Sequence, residues 1–171
     1  APLRPDLDID VNRLHIGRLV LAKPVTGETH VLRIDGAVHI ADRRAQLVAD
    51  AAALRGPGIA GGDRLRLTLN AVPDRNMLDV NAKLSAPIGG VVATMASLKA
   101  PLTASVDGRG SWQAWQGRAL ATLGQGQLAD IGITAKNGHI ELRGFAAPGL
   151  YLTGPVERLT APRLDLAIDT T

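Results

Sequence analysis

Alternation of aliphatic and polar residues, repeated along nearly the whole chain, is the property that most restricts its fold. Leu65, Leu67, Leu69 and Ala71 alternate with Arg64, Arg66, Thr68 and Asn70, and Leu78, Val80, Ala82 and Leu84 alternate with Asp79, Asn81, Lys83 and Ser85. A period of two places successive side chains on opposite sides of a β-strand, so each segment reads as a half-buried strand. One aliphatic face then has to be covered by a second sheet, a helix or an apolar ligand.

Turn chemistry sets where these strands reverse. Leu32, Ile34, Val38 and Ile40 are followed by Asp42-Arg43-Arg44 and then by Ala45, Leu47, Ala49 and Ala51. A loop over 41–44 sets Ile40 opposite Ala45 and Val38 opposite Leu47, which keeps the apolar residues on one face. A second hairpin joins Arg64–Ala71 to Met77–Ser85 around Pro73-Asp74. Asn137-Gly138 predicts a two-residue type I′ turn, pairing Ala135 with Ile140 and Ile133 with Leu142. Lys23-Pro24 and Thr26-Gly27 predict a further turn. Near the start the parity slips at Asn12-Arg13 and at Gly17-Arg18, as β-bulges would cause.

One segment breaks the period. Val91, Val92, Met95 and Leu98 fall on one face of a short helix over 89–98, flanked by Pro87 and Pro101. The expectation is an all-β fold: a curled antiparallel sheet forming a groove with a hydrophobic interior, with this small amphipathic helix plugging one end or lying over the apolar face. A closed sandwich would bury the same residues.

Composition removes several function classes. Cysteine is absent, so disulfides, thiolate metal sites and cysteine nucleophiles are excluded. The net charge is only +3 and aromatics make up 2%. Basic residues are scattered singly without interleaved aromatics, which argues against nucleic acid as a partner. His15, His30, His39 and His139 show no metal-ligand spacing. Asp8 and Asp10 share a strand face, but it is the polar one, where two acids discourage edge pairing. No nucleophile elbow, Walker loop or dinucleotide fingerprint occurs. The chain is therefore expected to be neither an enzyme nor a cofactor or metal binder. Trp112 and Trp115, three residues apart in a turn, suit either a binding platform or, as such pairs more often do, a cap on the end of a core, where their indole N–H groups find polar partners. The longest apolar run, Ile88–Ala96, is too short to span a bilayer.

Residues 87–118 carry a more specific pattern. A Leu-Ser-Ala-Pro strand end leads into Gly-Gly-Val-Val-Ala-Thr-Met-Ala-Ser-Leu, then Pro-Leu-Thr-Ala-Ser-Val-Asp-Gly-Arg-Gly, then Trp115-Gln116-Gly117-Arg118. This resembles the repeating unit of the TamB family of AsmA-like envelope proteins, which have a Gly-Gly-Leu-Leu helix, a Pro-Leu strand, a Gly-x-Gly and an Asp-Trp-x-Gly turn. Ala114 departs from that pattern at the Asp. The residues that carry the resemblance make up about a fifth of the chain, and the surrounding strands are similar in style without a sharp motif. It implies a taco-shaped trough with a hydrophobic inside, in the periplasm of a Gram-negative bacterium. It also implies an inner-membrane anchor outside this piece and a BamA-like outer-membrane barrel partner, TamA. The implied role is phospholipid transport and support of outer-membrane protein assembly, with nascent outer-membrane strands as further partners.

Under that expectation residues 1–171 form one excised segment of a repeat-built β-groove, with possible sub-units 1–86 and 99–171 flanking the helix. A faint echo of Arg4–Asp10 in Pro162–Asp169 fits a repeat seam. Phospholipid acyl chains would lie against Leu32, Ile34, Val38 and Ile40, against Leu65, Leu67, Leu69, Leu78, Val80 and Leu84, and against Ile131, Ile133, Ile140 and Leu142. The alternative is a structural or interaction module, a sandwich or β-helix whose exposed edges pair with a partner strand.

Overall fold

A computed structural model describes residues 9–41, 44–59, 61–111, 113–150 and 163–170, the side chains of Val25 and Thr26 excepted. The described residues form one antiparallel sheet of ten strands in simple sequence order. These are β1 (Ile9–Leu21), β2 (His30–Ala41), β3 (Arg44–Leu54), β4 (Arg64–Val72), β5 (Met77–Ala86), β6 (Leu102–Gly110), β7 (Ala114–Leu123), β8 (Gly126–Lys136), β9 (His139–Ala146) and β10 (Leu164–Thr170). Among the described residues each strand pairs with its sequence neighbours only, so β1 and β10 are the two edges of the sheet and do not close it into a barrel. A ten-stranded open sheet carries the accumulated right-handed twist of its strands and curls.

The hairpin registers follow the sequence pattern. Ile40 faces Ala45 and Val38 faces Leu47, while Ala135 faces Ile140 and Ile133 faces Leu142. Asn137 and Gly138 have φ of 52° and 85°, the two positive values that a type I′ turn requires. The register along β1–β2 shifts between Val11 and Leu14 and between Ile16 and Leu19, at the two places where the parity slips. The segment at Lys23-Pro24 is tighter than a plain turn. It is a single helical turn, α1 (Lys23–Thr26), closed by Gly27 with φ of 81°.

The predicted helix over 89–98 forms over a shorter span, α2 (Val91–Met95). It ends early because Ser97 takes a positive φ of 53° and Leu98 N–H returns to the Ala93 carbonyl. Its first turn is held from a distance. The Asp63 carboxylate, 7% exposed, accepts hydrogen bonds from the Val91 and Val92 backbone N–H groups. Gly90 allows this approach, because a Cβ there would overlap the Asp63 carboxylate.

Asp63 precedes Arg64 by one residue and so lies on the same side of the sheet as Leu65. The helix therefore sits against the apolar side, at the end where β3, β5 and β7 finish. Most of the fully buried residues gather at this end: His30, Val31, Ala53, Ala86, Val91, Ala93, Leu123 and Ala147. Helix α2 acts as a plug at one end of the sheet, and among the described residues no other helix or sheet lies over the rest of the apolar face.

Candidate hydrophobic groove

The ladder registers turn the alternation of single strands into rows that cross the whole sheet. One row starts at Leu14 in β1, passes Leu67 in β4 and Ile131 in β8, and ends at Leu166 in β10. Its neighbours run from Ile16 to Leu164, from Val11 to Ile168, and from Ile9 to Thr170. No position in these four rows carries a charge, and the Thr170 hydroxyl is their only polar side chain besides the Trp115 indole. Matching one face over ten strands needs every hairpin to keep its register, because a one-residue slip would turn a strand over.

The opposite face is mostly polar, with rows built the same way. Asp10, His39, Gln46, Asn70 and Asp79 are successive partners across β1–β5, and Arg109, Gln116, Thr134, Glu141 and Asp169 continue the row to β10. Charged groups pair across strands here. Arg118 Nε and Nη2 donate to the two carboxylate oxygens of Asp130 at 2.7 and 2.6 Å, and Arg66 Nε donates to Asp50 at 2.8 Å. The Arg118 hydrogen bond holds the Asp130 carboxyl below the usual carboxylate range. His15 Nδ1 lies 2.5 Å from Asp35 Oδ1, and this hydrogen bond lowers Asp35 in the same way.

All fourteen candidate groove residues fall on the apolar face. Ile40, Leu65 and Ile140 are exposed, at 36%, 43% and 45%, and the other eleven are half-buried. In the three rows that begin at Ile16, Leu14 and Val11, no residue is fully buried. A sandwich core would hide these side chains against a second sheet, and among the described residues no second sheet exists.

The lining is broader than the residues singled out from sequence. The edge strands add Ile9, Val11, Leu14 and Ile16 on one side and Leu164, Leu166 and Ile168 on the other. Trp115 belongs to it as well. Near the end of the sheet where β6 finishes and β7 begins, its indole lies over these two strands, with its six-membered ring where side chains at Gly108 and Gly117 would stand. Its Nε1–H donates to the Leu78 carbonyl at 3.1 Å. The glycine pair next to an aromatic was the available sequence clue.

Asp10 faces away from the lining and lies 3.5 Å from His39. Asp8, Trp112 and residues 4–8 of the N-terminal echo lie outside the described residues. Among the described residues no cluster of three or more His, Asp or Glu could hold a metal ion, and no helix is long and apolar enough to cross a membrane. Comparison with protein-family models, with curated proteins and with solved structures gives no match.

Proposed function

We propose that this chain is a stretch of a periplasm-spanning protein whose hydrophobic β-groove takes up phospholipid acyl chains and supports outer-membrane protein assembly. The observation that carries the proposal is an aliphatic face that no second sheet of the described residues covers, continuous over ten strands, with no residue fully buried in the rows that begin at Ile16, Leu14 and Val11. Each methylene removed from water contributes about 0.8 kcal/mol. An acyl chain therefore gains from any part of such a face without needing a deep pocket. Leu, Ile, Val and Ala side chains offer it no hydrogen bond to break, so the same surface that binds a chain lets it slide.

The resemblance of residues 87–118 to the TamB family adds the setting. An inner-membrane anchor elsewhere in the protein, a periplasmic location and a TamA-like outer-membrane barrel as partner belong to the proposal on that ground. The role is binding and conduction rather than catalysis. A photo-crosslinking side chain at Leu67 or Ile133 should capture phospholipid in cells, and the same group at Thr68 on the opposite face should not. Capture of protein alone at Leu67 and Ile133 would reject the groove.

A second reading is favoured by a separate observation. Among the described residues the backbone of β1 and of β10 is paired on one side only. Free edges accept an added strand through main-chain hydrogen bonds, and a nascent outer-membrane strand has the required extended form. Crosslinks from β1 or β10 edge positions to such strands would separate this activity from lipid uptake.

A further inference from the structure

We infer that the Trp115 indole is the contact surface on which an acyl chain crosses β6 and β7, a reading that rests on the groove proposed above. The row from Val11 to Ile168 has two consecutive positions without side chains, Gly108 in β6 and Gly117 in β7. On either side of them stand Val80 and Ile133. Without a cover, peptide groups would show through the lining at this point, and a chain sliding along the row would lose its apolar contacts and meet polar backbone.

Trp115 fills that gap from the adjoining row. Its ring occupies the space above both glycines. The hydrogen bond from Nε1–H to the Leu78 carbonyl satisfies the one polar atom of the indole and ties it across β6 to β5. The ring's underside is spent on the glycine backbones. The side chain remains partly exposed, and the other described aromatic, Phe145, pairs with Asp165 on the polar face. Trp115 is thus a flat aromatic tile in an otherwise aliphatic floor, filling the row between Val80 and Ile133. A flat ring offers a methylene chain a large dispersion contact. Substitution of either glycine would lift the tile, which explains why both positions carry no Cβ.

The test uses Trp115 as its own reporter. Trp112→Phe leaves Trp115 as the single tryptophan, and Trp112→Tyr serves if that variant does not fold. The protein is purified with phosphatidylcholine carrying mid-chain bromines, or with the same lipid unbrominated, and bound lipid is assayed by phosphate. Bromine quenches indole emission only at contact. The expected result is loss of most Trp115 emission with brominated lipid, in proportion to lipid bound. Lipid bound in both preparations with equal emission overturns the tile and leaves the groove standing. No bound lipid in either preparation overturns the groove and the tile with it.

Discussion

Asp63 Oδ2 accepts a hydrogen bond from the Val91 backbone N–H at 2.7 Å, across 28 residues of chain. This contact fixes α2 at the end of the apolar face. No side chain of the helix's own N-cap, Gly90, can do so. Loss of an N-cap acceptor costs about 1–2 kcal/mol. Asp63→Ala should destabilise the protein by about that amount, and Asp63→Asn, which keeps one acceptor oxygen, by less. Urea denaturation of the three proteins checks the order. Equal stability of Asp63→Ala and the parent would show that the plug holds without its cap.

The polar face supplies an acid-sensitive term. Arg118 lowers the Asp130 carboxyl, chiefly through its hydrogen bonds. An unfolded chain binds the Asp proton near pH 4. Because the folded value is lower, this contribution is fully present above about pH 4 and is lost as pH falls through the folded value. Asp130→Asn should flatten the fall in stability below about pH 4 and leave its slope near neutrality unchanged. Thermal melts at a series of pH values read this directly. His15 lowers Asp35 in the same sense, so Asp35→Asn should act in the same window.

The local content of the fold was legible in the sequence because it rests on local rules. Parity named the faces, the slips at Asn12-Arg13 and Gly17-Arg18 marked the two register shifts, and Asn137-Gly138 fixed a hairpin. Longer-range facts were not legible. A period of two cannot say whether a face is covered, since a sandwich and an open trough share it. The helix came out shorter than its apolar spacing because Asp63 and Ser97, both outside that pattern, set its ends. Val48, Leu120 and Phe145 interrupt the polar face, and Arg163 lies over the Phe145 ring at 4.8 Å, a contact that no alternation rule announces. The seat of the Trp115 ring was not legible for a related reason. Its position depends on two glycines that are its neighbours in space across β6 and β7.

Those glycines give a third prediction. A Cβ at Gly108 would meet the Trp115 ring. The neighbour on that side is a rigid indole tied to Leu78, not the free end of a flexible chain. Gly108→Ala should therefore displace the ring, break the Nε1–H bond and cost about 1–3 kcal/mol, the usual range for overpacking. Gly132→Ala provides the control, because a Cβ there meets only the Arg143 carbonyl at 3.4 Å. Tryptophan emission should shift to the red in Gly108→Ala and stay in place in Gly132→Ala.

A charge on the lining distinguishes an open face from a closed core. In a closed core a carboxylate or guanidinium without a partner costs several kcal/mol or more and abolishes folding. On this sheet Leu67 and Ile133 lie in rows where no side chain is fully buried, so water reaches a new charge there when no guest is bound. Leu67→Glu and Ile133→Arg should keep the β-sheet circular dichroism signal and unfold cooperatively, with a modest drop in midpoint. Lipid retained through purification should fall strongly in both. Thr68→Glu, one residue from Leu67 but on the polar side, should keep its lipid. The comparison at adjacent positions removes any general effect of added charge, because only the face changes. Unfolding of both lining variants would mean that the aliphatic rows are packed shut in solution, and full lipid retention by both would mean that acyl chains bind elsewhere.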